Sequence, residues 1–189
     1  MYGTNHQTFV DVHGFDDIPE GRCRPGHFRG VATIVTKLFN IVQPSNAYFG
    51  QKDAAQCVLI KRIVQDLDMN VRVHIMPTKR EEDGLAMSSR NAYLQQNERK
   101  AASIIYKSLQ AAKGVYEAAF AGGFPIASII LHDVVKNTLE GDPMVSDIQY
   151  ISIDCKENMK PLSVVNESGA IISVACKLGN VRLIDNIVL

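Results

Sequence analysis

Residues 30–76 read GVATIVTKLFNIVQPSNAYFGQKDAAQCVLIKRIVQDLDMNVRVHIM, and the period of their apolar positions decides the fold. Val31, Ile34, Val35, Leu38 and Val42 recur at helical spacing, which predicts an amphipathic helix from Gly30 to Val42 that Pro44 ends. Ala47-Tyr48-Phe49-Gly50 is a short apolar run and reads as a buried strand. A second helix is expected from about Asp53 to Leu67, burying Cys57, Ile60, Val64 and Leu67. Val71 to Met76 then alternates as a strand that stops at Pro77. Helix, strand, helix, strand in this order predicts α/β with a parallel sheet.

Past Pro77 the pattern changes. TKREEDGLAMSSRN is a polar, glycine-containing loop, read as a domain boundary and a working loop, with Arg80-Glu81-Glu82-Asp83 as a solvated hinge. Two helices are expected next, about Asn97 to Phe120 and Pro125 to Leu139, with Pro125 at a first helical position. Strands follow at Ser146 to Asp154, Ala170 to Leu178 and Val181 to Val188, the last two joined by a two-residue turn at Gly179-Asn180. Helices before an antiparallel meander make a small α+β domain. The expected division is therefore residues 1–78 and 79–189.

Composition closes off several classes. The 189 residues are 46% hydrophobic and 21% charged, which excludes disordered and fibrous chains and leaves one domain or two small ones. Eight basic and seven acidic residues lie through Thr78, twelve and thirteen after it, so neither part forms the basic patch that a nucleic-acid binder needs. No apolar run approaches the roughly 20 residues of a membrane span, and a cytoplasmic location is expected. Cys23, Cys57, Cys155 and Cys176 form no C-x-x-C pair, so neither a disulfide framework nor a zinc site is indicated; Cys57 and Cys176 read as core residues. His6, His13, His27, His74 and His132 show no H-x-x-H spacing; His74 reads as solvated or hydrogen-bonded on its strand.

Two polar clusters could carry chemistry. Gly50-Gln51-Lys52-Asp53 joins a strand end to a helix start, where unpaired N–H groups and a partial positive charge favour an anion and Lys52 adds a full charge. The plainer alternative is that Asp53 is an N-cap and Lys52 a turn residue. Met87-Ser88-Ser89-Arg90 supplies two hydroxyls and a guanidinium that can grip phosphate oxygens, or simply caps the next helix. Together the two suit phosphoanhydride chemistry, one on a sheet edge and one on a loop able to close.

The runs His27-Phe28-Arg29-Gly30-Val31, Tyr48 to Asp53 with Gln56, Pro77-Thr78, Arg80-Glu81, Asp83 to Asn91 and Arg182-Leu183-Ile184-Asp185-Asn186 closely resemble the pantothenate synthetase (pantoate–β-alanine ligase) family. The resemblance covers essentially the whole chain. It implies the second half of a Rossmann-like nucleotidyltransferase parallel sheet followed by a small α+β lid domain with an antiparallel sheet. It implies ATP-dependent condensation of pantoate with β-alanine through pantoyl adenylate, with Mg²⁺. By the same resemblance Gly50, Gln51, Lys52, Asp53, Met87, Ser88, Ser89 and Arg90 match ATP-binding positions, with Lys52, Ser88, Ser89 and Arg90 as electrostatic stabilisers. Gln56 matches a pantoate ligand. Lys79 stands where the family has a small aliphatic residue that contacts ATP through its backbone, and His27 belongs to a motif near Glu20 and Arg24, expected to form a charged network.

The family's upstream segment, with its first strand, HIGH-like loop and a second pantoate-binding glutamine, is expected to be missing. A homodimer is expected because a cut parallel sheet exposes an edge and apolar faces. The alternative reading is a non-catalytic fragment, or a nucleotide-binding or oligomerising module, inactive without that segment.

Overall fold

The computed structural model describes residues 2–189. They divide into two compact units: the chain through Phe49 with Ala55–Ile75, and Gly50–Ala54 with Met76–Leu189. The short segment Gly50–Ala54 thus groups with the second unit although it joins a strand and a helix of the first.

The first unit is α/β. It contains α1 (Pro19–Cys23), α2 (His27–Val42), β1 (Asn46–Gly50), α3 (Ala54–Asp66) and β2 (Arg72–Met76). β1 and β2 pair through a helical connection, the parallel arrangement expected from the sequence. α2 begins three residues before Gly30, because Gly26 sits at φ 72° and turns the chain into the helix. It ends at Val42, where Gln43 takes a left-handed conformation and its N–H bonds to the Phe39 carbonyl at 2.8 Å. Phe28, Ala32 and Val35 are buried, whereas Leu38, Ile41 and Val42, at the end of the apolar stripe, stand exposed. A two-stranded sheet is too narrow a layer to cover the whole stripe.

The second unit packs two helices on an antiparallel sheet. β4 (Val145–Asp154), β6 (Ile171–Leu178) and β7 (Val181–Val188) form the meander, with β6 central and Gly179-Asn180 closing the β6–β7 hairpin. α5 (Ile104–Ala121) buries Ile105, Ser108, Leu109 and Ala112 at helical spacing, and α6 (Ser128–Glu140) buries Ser128, Leu131, Val135 and Leu139. These faces meet Ile172, Val174, Cys176 and Leu178 of β6 and Leu183 and Ile187 of β7 in one core.

Three expectations need correction here. Tyr48, in the run read as a buried strand, and Leu67, expected on the buried face of the second helix, are both exposed. The helix expected from Asn97 to Phe120 is two helices, α4 (Gln96–Ala101) and α5, separated by a turn in which the Ile105 N–H bonds to the Ala102 carbonyl. Pro125 does not open α6. Ile126–Ala127 form a short strand, β3, paired with β5 (Val164–Val165), and α6 starts only at Ser128, whose N–H bonds to the Ser163 carbonyl at 2.9 Å. A long-range backbone pairing has outweighed the local preference of proline for a first turn.

Candidate functional site

The candidate site lies in the second unit, where β7 contacts both a 3₁₀ turn at Gln51–Asp53 and another at Ser89–Tyr93. A three-residue 3₁₀ turn has poor hydrogen-bond geometry and needs outside support. Asn186 of β7 supplies it: its amide nitrogen donates to the Gln51 and Lys52 carbonyls, both at 2.9 Å, and its amide oxygen accepts from Gln51 Nε2 at 3.1 Å. Lys52 and Gln51 are half-buried, and Gly50 and Asp53 are exposed.

The loop after β2 is a structured hairpin. Met87 donates its N–H to the Lys79 carbonyl at 2.9 Å, Glu81 to Leu85 at 2.8 Å, and Arg80 bridges Ala86 in antiparallel fashion. Its tip is Gly84, at φ 92° and packed so closely on Tyr106 that a β-carbon there would strike the ring. Asp83 accepts from the Leu85 N–H and pairs with Arg99, whose hydrogen bond holds the Asp83 carboxyl below its ordinary range.

Arg80 is not part of a solvated hinge. Its guanidinium forms a two-pronged ion pair with Asp185, at 2.6 and 3.0 Å, and lies 3.8 Å from the centre of the Tyr106 ring. Asp185 is 3% exposed and Arg80 is half-buried, so the carboxylate end of the pair is withdrawn from water. The hairpin is thereby fastened to β7 by side chains as well as by packing.

The second cluster is looser. Ser88 Oγ accepts from the Arg90 N–H at 3.2 Å and so caps the turn, and Asn91 Nδ2 donates to the Ala86 carbonyl. Met87, Ser89 and Arg90 are exposed, as is Lys79. Gln56, the third residue of α3, is half-buried in the first unit.

Sequence reasoning missed Arg80, Asp185 and Asn186 as parts of the site. The signal was an Asp-Asn pair flanked by Leu183-Ile184 and Ile187-Val188, because polar residues buried on a strand need partners from elsewhere. Two other buried groups on the sheet are perturbed. Asp154 is 1% exposed and burial raises its carboxyl to about 6, only partly offset by a hydrogen bond from Ser152. The Cys176 thiol is pushed up to about 12 by burial, which leaves it an inert core residue.

Two histidines have polar partners close to their rings. In the first unit His74 Nε2 lies 2.8 Å from Asn46 Oδ1 and its ring stacks on Tyr48. His27 Nε2 lies 3.0 Å from Arg24 Nη1, and Arg24 reaches Glu20 at 3.7 Å, which links the three residues. Among the described residues no group of three or more His, Cys, Asp or Glu could hold a metal ion.

Comparisons with known proteins agree on one family. A family model described as pantoate-beta-alanine ligase matches residues 1–188. Pantothenate synthetase from Herpetosiphon aurantiacus is 46% identical over 189 residues, covering 100% of this chain and 66% of that protein. The crystal structure of pantothenate synthetase from Thermus thermophilus superposes with a TM-score of 0.87 at 40% identity, covering 99% of this chain and 65% of that one. The pantoate-beta-alanine ligase from Francisella tularensis, complexed with beta-gamma ATP and beta-alanine, gives a TM-score of 0.67 at 31% identity, over 96% of this chain and 58% of that one. The chain spans just under two thirds of the length of the curated relative. It belongs to the pantoate–β-alanine ligase family.

Proposed function

We propose that this chain carries the C-terminal part of the active site of a ligase that condenses pantoate with β-alanine at the expense of ATP, through pantoyl adenylate. The observation that carries the reading is the attachment of two phosphate-suited turns to one strand: Gln51–Asp53 bonded to Asn186 of β7, and Ser89–Tyr93 packed against the same β7. Family membership and the nucleotide named for the Francisella tularensis relative support the choice of ATP.

The residues present fit the nucleotide. Lys52, Ser88, Ser89 and Arg90 offer two cations and two hydroxyls to phosphate oxygens, and α3 begins directly after the first turn with its N-terminal dipole. Gly50, Gln51, Asp53, Lys79 and Met87 complete the nucleotide contacts in this reading, and Gln56 holds pantoate. Mg²⁺, which is commonly bound by one or two carboxylates together with substrate phosphates, would neutralise phosphate charge beside the exposed Asp53.

When the pantoate carboxylate attacks the α-phosphorus, the bond to pyrophosphate breaks and negative charge gathers on the departing oxygens. Lys52 and Arg90 meet that charge, while Ser88 and Ser89 donate hydrogen bonds to it. None of the four acts as a base. The β-alanine amine then attacks the acyl carbon, expels AMP and loses a proton, a step that needs proximity rather than a covalent enzyme intermediate.

A homodimer and a cytoplasmic location belong to the same reading. Exposed Leu38, Ile41, Val42, Tyr48 and Leu67 of the first unit support self-association. Gel filtration should then return twice the 20.9 kDa chain mass. No described helix is long and apolar enough to cross a membrane.

The test is pantoate-dependent release of pyrophosphate from ATP and Mg²⁺, with Lys52→Ala compared with the wild type. Loss of one charge-stabilising donor should lower the rate roughly 10²-fold. A rate indifferent to Lys52→Ala would sink the role given to Lys52. Saturable ATP binding without release would favour the nucleotide-binding module instead.

A further inference from the structure

We infer that Asn186, with its neighbour Asp185, is a positioning residue that sets the orientation of the Gln51–Lys52 peptides for a phosphate group; the inference rests on the nucleotide reading above.

Consecutive residues of a strand point to opposite faces of its sheet. Asp185 is paired in register with Val174, on the face that carries the helix-packed core, and there it takes the Arg80 guanidinium beside Tyr106 of α5. Asn186 is paired with Ser173 on the other face, and there it takes the Gln51–Asp53 turn. One Asp-Asn dipeptide therefore holds the Gln51–Asp53 turn on one side of β7 and, through Arg80, the hairpin that leads into the Ser88–Arg90 segment on the other.

The grip on the turn is directional. Asn186 is 3% exposed and both ends of its amide are used, two carbonyls on the nitrogen and Gln51 Nε2 on the oxygen. In a trans peptide the N–H points opposite to the carbonyl of the same plane. Drawing the Gln51 and Lys52 carbonyls toward β7 therefore turns the Lys52 N–H away from it, while the Asp53 N–H closes the 3₁₀ turn onto the Gly50 carbonyl. The Lys52 donor is aimed before any anion arrives, and the ordering entropy is met in folding rather than in binding. Asp185 adds to this by accepting from the Asn186 N–H at 2.8 Å, which fixes the dipeptide itself.

The experiment compares wild type, Asn186→Ala and the isosteric Asn186→Asp, which replaces the donating NH₂ with an oxygen facing two carbonyls. ¹⁵N relaxation reads the Lys52 and Asp53 amides, and titration with ATP and Mg²⁺ reads affinity. A core variant, Val135→Ala on α6, serves as a control that loses stability without touching the turn. The inference predicts that both Asn186 variants drop those amides from rigid order parameters near 0.85 to below about 0.6. It also predicts about tenfold weaker ATP binding in both, the size expected for loss of a buried hydrogen-bonding group, with Val135→Ala unchanged. Unaltered order and affinity in both variants, or an equal loss in Val135→Ala, would overturn it. A wild type that never takes up ATP overturns the nucleotide reading instead, and the order parameters then decide the clasp alone.

Discussion

The two polar clusters of the second unit are held in different ways. The Gln51–Asp53 turn is bonded through its own carbonyls to a buried side chain 135 residues away along the chain. The Ser88–Arg90 segment is capped by its own Ser88 and leaves Ser89 and Arg90 exposed. The first is a preorganised turn and the second an adaptable one. In the nucleotide reading proposed above, phosphate binding would gain from both, since fixed donors lower the entropy cost and a looser arm can close once the anion is in place.

The largest way to break this contrast is Arg80→Ala. It removes the half-buried partner of the buried Asp185 carboxylate and leaves that charge uncompensated, which should cost about 3 kcal/mol and be visible as a fall in the thermal midpoint. Arg80→Lys should not rescue it, because an ammonium cannot reproduce the two-pronged pair or the stacking on Tyr106. A midpoint that barely moves would mean that the hairpin does not depend on β7 through this pair.

Asp154 sharpens the comparison from the same sheet. It sits two residues from Ser152 on β4, and Ser152 is opposite Ser173, which is opposite Asn186, so a polar row crosses the face that holds the turn. Its carboxyl is raised from 3.8 to about 6 in the folded chain by burial. The protonated form is the favoured one, so this contribution is fully present below about pH 4 and is lost as pH rises through 6. Asp154→Asn should flatten that slope and raise stability at pH 7.5 by on the order of 2–3 kcal/mol, measured by denaturant unfolding across pH. An unchanged pH slope would show that Asp154 is not a buried ionising group.

The smallest expected effect is that of Ser88→Ala. Loss of a cap hydrogen bond should cost about 1 kcal/mol of local stability, read as faster amide exchange at Arg90, with the Gln51–Asp53 amides unaffected. Exchange that rises in both clusters would mean they are not held independently.

Much of this was legible in the sequence. Period-3.6 and period-2 patterns located α2, α3, α6 and the long strands to within a few residues, because each carries an apolar stripe long enough to show its period. The β3–β5 pairing was not legible, since two-residue strands carry no period and exist only through a partner about forty residues on. The break between α4 and α5 was hidden because Ala102 and Ser103 are compatible with either helix or turn. Lys52 and Arg90 could be singled out by charge and local context. Arg80, Asp185 and Asn186 could not, because their meaning depends on contacts spanning 105 and 135 positions and on which face of β7 each residue takes. Arg80 within Arg-Glu-Glu-Asp reads locally as one more solvated charge, and only the fold removes it from water.

The central claim is that the Gln51–Asp53 and Ser88–Arg90 clusters bind one nucleotide together. The most direct test is an ATP and Mg²⁺ titration of the ¹⁵N-labelled chain, following backbone amides in both clusters. The account predicts that both sets shift along a single binding curve, and that Lys52→Ala weakens the curve read at Ser89 and Arg90 as well as at Asp53. Shifts confined to one cluster, or two curves with different midpoints, would contradict it.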